Sequence, residues 1–429
     1  MIDLIFFGLL GILLGVISGI LPGLGPGTLL SILFVFLLQA KPESIIIFYI
    51  GILISAQYFG SVTAILTGVP GHPSAIPSAT HGFKLATAGY GPSLLLSTAK
   101  YSLWASLFSF LLLAAFLYTG WYWARSLSTI FQSFIFLSAI VLLIFLSQSN
   151  KLHTNIGLSC LGFLLGGVGY SANFQTYFVV SSDSPLRLGI PWVPVMIGLM
   201  AIPGLLAAAK IDITISVSKV KKIITDKLVK VAFRGGVIGF ILGTVPGLSY
   251  VLSSIVAAKV EERKSNNPIK IIVASEAANN AGAVSMLLPL FLLGIPITVS
   301  EAIVFSLLTS NTAMSSIPKL ILDNWILLSC YFVFINILFF IIACKFAIPL
   351  CNFLFSSINI LIGVAVVVAI FGVAWLGWYH QQIFLYLLIL LISSVLGSLI
   401  RLDWSITIFS MILYTHIETN IYKLIQLYF

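Results

Sequence analysis

Two polar stretches interrupt an otherwise apolar chain: Ser55-Ala56-Gln57-Tyr58-Phe59-Gly60-Ser61-Val62-Thr63 and Ser275-Glu276-Ala277-Ala278-Asn279-Asn280-Ala281-Gly282. Gln57, Ser61, Thr63, Asn279 and Asn280, with Gly60 beside them, offer amides and hydroxyls that can hold an anion without neutralising it. Polar groups inside apolar segments are costly and point to function by default. Each stretch follows a Pro-Gly break, Pro22-Gly23 (with Gly25) or Pro246-Gly247 (with Ser249). Glycines let the backbone N–H groups of such a break approach a ligand, and a helix N-terminus is a ready anion site. Carboxylate oxygens suit these donors well. The bland alternative is that Asn, Gln and Ser only tie helices together; their recurrence beside matching breaks favours a binding site. Glu276 stands equally as a ligand for a coupling proton or sodium ion and as an interfacial residue near the start of its segment. Glu301 and Asp323 read as loop or helix-end residues, and His81 as structural.

The same inventory argues against other chemistry. There is no GxSxG, no HExxH and no Walker lysine, and His72 and His81 have no metal-ligand spacing with other histidines or cysteines. No enzyme, nucleotide site, metal or cofactor is expected. Cys160, Cys330, Cys344 and Cys351 lie in apolar runs and read as buried small hydrophobes.

The elements that must position these groups follow from composition. The 429 residues are 60% hydrophobic and 8% charged, against roughly 25% charged in soluble domains, with a mean hydropathy of +1.14. That leaves too little charge for a water-facing surface. Runs such as 45–66, 320–340 and 360–378 are long enough to cross a hydrocarbon core of about 30 Å. The expected fold class is therefore an all-α polytopic membrane protein. Asp3 is the first charge, and no basic region precedes the first apolar run, so a cleaved signal peptide is not expected.

Aligning the two breaks also aligns Gly11 with Gly235, Gly15 with Gly239 and Gly19 with Gly243, and Gly68-Val69-Pro70 answers Gly294-Ile295-Pro296. A matched order of several motifs signals an internal repeat. The arms of the second break, roughly 231–245 and 248–258, are short, and both outer ends meet basic clusters, Lys219 to Arg234 and Lys259 to Lys270. Positive residues collect on the cytoplasmic side, so this segment reads as a hairpin that enters and returns. Broken backbone at membrane depth survives only when covered by protein or lining a cavity. The first break has nearly uncharged flanks, which fits the opposite side. The expected organisation is a first repeat at 1–209 with a hairpin at about 5–40, a basic cytoplasmic linker at 210–234, and a second repeat at 235–429 with a hairpin at about 231–258. About five spans follow each hairpin: roughly 45–66, 98–118, 130–147, 155–178 and 189–208, then 271–293, 321–343, 357–378, 382–400 and 403–420. Two inverted repeats of this kind are characteristic of secondary transporters.

At these motifs the chain resembles the large membrane subunit of the tripartite tricarboxylate transporters, the TctA family. Gly15-Val16-Ile17-Ser18-Gly19-Ile20-Leu21-Pro22-Gly23-Leu24-Gly25-Pro26 is similar to that family's G-x-x-x-G-x-x-PG-x-GP signature, Gln57 to Leu66 to its QYGGSxTAIL stretch, and Val69-Pro70-Gly71 to the PG that follows. Gly239 to Gly247, Glu276-Ala277-Ala278-Asn279-Asn280-Ala281 and Leu293-Gly294-Ile295-Pro296 resemble the second-half motifs. The likeness covers most of residues 8–300. His81-Gly82 stands where the family usually has Asp-Gly, and Leu248-Ser249-Tyr250 replaces a small Gly-rich stretch.

The resemblance implies a secondary active permease subunit importing a small carboxylate, such as a di- or tricarboxylate, driven by a Na+ or H+ gradient. It implies two partners, a small membrane subunit and a periplasmic or extracellular substrate-binding protein, in the cytoplasmic membrane of a prokaryote. No nucleic-acid partner is expected. The alternatives are a stand-alone symporter or exporter for another small organic anion and, further off, a membrane enzyme using Glu276 or His81.

Overall fold

The computed structural model describes residues 2–21, 24–126, 129–146, 150–209, 228–246, 249–311, 316–400 and 402–428. Pro22, Gly23, Gly247 and most of the basic linker lie outside the described residues. The first part of the chain forms α1 (Ile2–Ile20), α2 (Pro26–Leu37), α3 (Pro42–Thr67), α4 (Ile76–Leu85), α5 (Gly91–Ser126), α6 (Thr129–Leu146) and α7 (Leu152–Gly166). A small antiparallel hairpin of β1 (Gly169–Ser171) and β2 (Thr176–Phe178) follows, with Tyr170 opposite Tyr177. Next come α8 (Trp192–Met196) and α9 (Ile202–Ala208), joined by a π-turn. The remainder comprises α10 (Val229–Gly243), α11 (Ser249–Lys264), α12 (Pro268–Ser285), α13 (Leu287–Leu293), α14 (Val299–Asn311), α15 (Ile317–Asp323), α16 (Trp325–Lys345), α17 (Ala347–Ser356), α18 (Ile358–Tyr379), α19 (Ile383–Leu399) and α20 (Ser405–Tyr428).

Six helical stretches among the described residues are long and apolar enough to cross a membrane. The protein is an all-α polytopic membrane protein. Two of the six, α3 and the α12–α13 stretch, are 100% and 94% buried within the molecule over their apolar windows, against 28% for α18 and 33% for α16. Those two form the centre, and the others turn apolar faces outward, where lipid would meet them.

The glycine stripes explain how the centre is packed. A Cβ at Gly11, Gly15 or Gly19 of α1 would run into backbone of α3 at Phe48, Ile52 and Ala56. A Cβ at Gly235, Gly239 or Gly243 of α10 would run into backbone of α12 at Ala274, Ala278 and Gly282. Each stripe thus lays three glycines, one turn apart, on three carbonyls of its partner that are likewise one turn apart. Small residues allow this close approach, which is what holds helices together in lipid.

Both breaks bring their outer ends together. Lys41, just after α2, pairs with Asp3 in α1 at 3.6 Å, although both side chains are more than half exposed and water screens them. Arg234 near the start of α10 meets Glu261 near the end of α11 at 2.5 Å, with the glutamate 3% exposed. In both cases an ion pair brings residues on the two sides of the break near one another. Pro26, Pro42 and Pro268 stand in the first turns of α2, α3 and α12, where their missing N–H costs nothing. Gly68 and Gly294 end α3 and α13 in the left-handed region, at φ of 74° and 67°.

Several expectations need correction. The segment 155–178 is not one span: α7 stops at Gly166 and the β-hairpin follows, because Gly166-Gly167 and the polar Ser171-to-Thr176 turn interrupt the helical run. The short helices α4, α14, α15 and α17 were not anticipated. Cys160, Cys330 and Cys344 are exposed and only Cys351 is buried, since an apolar run alone does not separate core-facing from lipid-facing positions.

The close approach yields a test. Gly15→Ala, whose methyl would lie 2.6 Å from the Ile52 carbonyl oxygen, should destabilise the protein by about 1–3 kcal/mol or more. Gly363→Ala, which meets nothing within 4 Å, should leave the thermal midpoint in detergent unchanged. Equal midpoints for the two variants would contradict the packing.

Candidate functional site

The buried centre is built where α3, α4 and α12 meet. Glu276, in the third turn of α12, is fully buried. One of its carboxylate oxygens accepts a hydrogen bond from Ser61 of α3 and the other from Ser78 of α4. A carboxylate from late in the chain is thus held by two hydroxyls from early in it. Nothing of its side chain reaches the protein surface. Asn279, one turn on, lies against the same carboxylate, and neither its amide nitrogen nor its oxygen completes a hydrogen bond of ordinary geometry. Asn280 points the other way: its amide donates to Ser102 of α5 at 2.9 Å and to the Glu276 carbonyl at 2.9 Å. Asn280 thus ties α12 to α5 through its nitrogen, while its buried amide oxygen has no hydrogen-bond partner.

On α3, the turn before Ser61 carries Gln57, which is 1% exposed. Its amide oxygen accepts a long 3.5 Å hydrogen bond from Ser74, and its nitrogen has no hydrogen-bond partner. Buried donors and acceptors left unsatisfied cost about 1–3 kcal/mol each. Gln57 and Asn279 place such groups on the two central helices. Thr63 serves packing instead, donating to the Ile20 carbonyl at the end of α1 at 3.2 Å. Gly60 belongs to the same junction: a Cβ there would press on His72, and one at Gly71 would strike the Gly19 carbonyl.

Described residues just after each break contact distant parts of the chain. Tyr250, in the first turn of α11, hydrogen-bonds through its hydroxyl to His72 Nε2 at 2.8 Å and sits beside Gln57. Ser254 of α11 donates to the Ser74 carbonyl at 2.5 Å and bonds Ser275 of α12 at 2.7 Å. In return, Gly27 at the start of α2 abuts Ser300 of α14. Gly25 caps α2 in an extended conformation with open space around it. Pro246 is half-buried in the loop after α10, and Ser249 opens α11.

Sequence reasoning therefore singled out Gln57, Ser61, Glu276 and Asn279, which the fold brings to one buried region, and Thr63 and Asn280, which it uses as ties. It missed Ser78, which completes the carboxylate cradle, and the His72–Tyr250 and Ser74–Ser254 contacts. The available signal was the polarity of the segment 72–81, directly after the Gly-Val-Pro break. It also took Glu301 only as a loop or helix-end residue. Glu301 does lie in the first turn of α14, where its carboxylate accepts from the Ile297 N–H at 2.8 Å and its own N–H donates to Thr298 Oγ1 at 3.2 Å. This is a variant of the capping box, T-x-x-E at 298–301, with the carboxylate on the N–H of Ile297; Glu301 is fully buried and its Oε1 has no hydrogen-bond partner.

A profile of the tripartite tricarboxylate transporter TctA family matches residues 5–409. Over 288 residues the chain is 29% identical to an "Uncharacterized 52.8 kDa protein in TAR-I ttuC' 3'region" of Agrobacterium vitis, an alignment spanning 62% of this chain and 55% of that protein. The match thus covers about half the length of that relative. No solved structure matches the chain.

The cradle makes a falsifiable claim about energetics. Ser78→Ala leaves one buried carboxylate oxygen without its donor and should cost about 1–3 kcal/mol, read as a lower thermal midpoint. Glu276→Gln in the same background should recover part of that loss. No recovery would argue against the hydroxyl–carboxylate pairing.

Proposed function

The chain belongs to the tripartite tricarboxylate transporter TctA family, a family of transporters and not of enzymes, and on that premise we propose that it is a permease subunit importing a small carboxylate anion. The substrate class is a di- or tricarboxylate, and a Na+ or H+ gradient drives the step, with Glu276 as the candidate ion-coupling group. The partners are a small membrane subunit and a substrate-binding protein on the outer face, and the setting is the cytoplasmic membrane of a prokaryote.

One observation carries this reading. Gln57 and Asn279, on the two most buried helices, present amide groups with unmet hydrogen-bonding capacity beside the Glu276 cradle. Amides can hold a carboxylate by hydrogen bonds alone, so the anion enters without a fixed counter-charge that would trap it. The paired outer ends of both breaks and the matching glycine stripes support two similar repeats; their opposite orientation is inferred from the basic flanks of the second break and the nearly uncharged flanks of the first. Tip groups at Pro22, Gly23, Gly25, Pro246, Gly247 and Ser249 complete the proposed lining.

Reconstituted into proteoliposomes, with and without partner subunits, the protein should take up labelled citrate saturably and only under an imposed Na+ or pH gradient. Asn279→Leu should lower uptake more than tenfold while the thermal midpoint holds within a few degrees. Absence of carboxylate uptake under every gradient and partner combination would sink the reading.

A further inference from the structure

Away from the buried centre, a cavity of about 280 Å³ opens between the C-terminal half of α4 and the turn joining α11 to α12. Its walls are Leu85, Pro268 and Ile271, and its polar groups are His81, Lys84 and Asn266. That volume falls just below the range of about 300–1,000 Å³ typical of drug-sized ligands, and an apolar lining with a few convergent polar groups is the ordinary pattern of a small-molecule site. Among the described residues Lys84 has no ion-pair partner. His81 is held from the side by Glu262, whose Oε1 lies 3.3 Å from Nε2.

We propose that this cavity is a second carboxylate site, in which Lys84 supplies the charge and His81 and Asn266 supply hydrogen-bond donors. A bound carboxylate takes over His81 from Glu262, which is 44% exposed and can turn to water. In the segment that carries Asn266, Lys259, Arg263, Lys264 and Lys270 outnumber Glu261 and Glu262, a positive balance that raises the local concentration of anions. The apolar walls accommodate the carbon skeleton of a small organic acid, which distinguishes this ligand from inorganic anions.

The location gives the site a role. Ser78 and His81 are three residues apart on α4, about 4.5 Å along the axis at 1.5 Å per residue. The helix that donates to the buried Glu276 therefore also forms the cavity wall, one turn away. The segment carrying α4 is bounded by Gly68 and Gly89, both at positive φ, 74° and 96°. Resting on the transport reading above, the cavity is a way-station on the side of the basic clusters, occupied by the carboxylate before or after it passes the buried centre.

Equilibrium binding of radiolabelled citrate to the full chain tests this, in nanodiscs of zwitterionic lipid that remove competing anionic headgroups. The wild type should show a binding class that Lys84→Met weakens at least tenfold, that Lys84→Arg restores, and that Asn279→Leu leaves intact. Glu262→Gln should tighten it by freeing His81. Citrate binding unchanged in Lys84→Met and abolished in Asn279→Leu would overturn this site and leave the transport reading standing. A wild type that binds no citrate would overturn this site, whereas the transport reading stands or falls on uptake with the partner subunits present.

Discussion

In a bilayer, helices gain nothing by hiding apolar side chains from one another, because lipid tails are equally apolar. Association then rests on how closely two backbones can approach. Here the approach is made twice, by Gly11, Gly15 and Gly19 of α1 against α3 and by Gly235, Gly239 and Gly243 of α10 against α12. Everything polar in the centre depends on it. With α1 flush against α3, Thr63 reaches the Ile20 carbonyl, and Gly60 and Gly71 close over the end of α1. With α10 flush against α12, Ser285 lies within 3.4 Å of the Gly239 carbonyl oxygen. The opposite faces of α3 and α12 are then free to meet each other, and that meeting places Ser61 on Glu276.

Burying a carboxylate away from water is expensive unless hydrogen bonds replace the hydration it loses. The fold supplies those bonds from distant sequence, through Ser61 and Ser78. Glu301 is served locally instead, by the backbone of its own helix start. The two buried acids are thus held differently. One is an intrinsic part of a helix terminus and stays with it. The other is shared among three helices, so any relative movement of α4 changes its surroundings.

Much of this was legible in the residues. Glycines four apart before each Pro-Gly break, and the recurrence of Gly68-Val69-Pro70 as Gly294-Ile295-Pro296, marked positions the structure uses alike: close approach for the stripes, left-handed helix ends for Gly68 and Gly294. Gln57, Ser61, Glu276 and Asn279 stood out because amides, hydroxyls and acids are rare in such segments. What stayed hidden was whatever depends on tertiary contact. Nothing in Asn279-Asn280 says that one amide faces the carboxylate and the other Ser102; only the rotation of α12 decides it. Apolar runs could not separate exposed Cys160, Cys330 and Cys344 from buried Cys351. Short helices such as α4 lack the length that makes a span readable, yet α4 carries Ser78 and His81.

The β-hairpin after α7 is fastened to α20: Ser171 donates to Glu418, Asn173 reaches Thr419 at 3.2 Å, and Phe174 packs edge-on against Tyr422. Gly162 and Gly166 of α7 press on the same helix, at Thr407 and Tyr414. These partners lie 246 and 247 positions apart in the chain. A ribosome adding about 5–20 residues per second needs on the order of tens of seconds to cover that distance. For that interval the newly inserted α7 and its hairpin wait in the membrane without their counterpart. α20 is thus made well after the segment it fastens, and these contacts are among those completed late in synthesis.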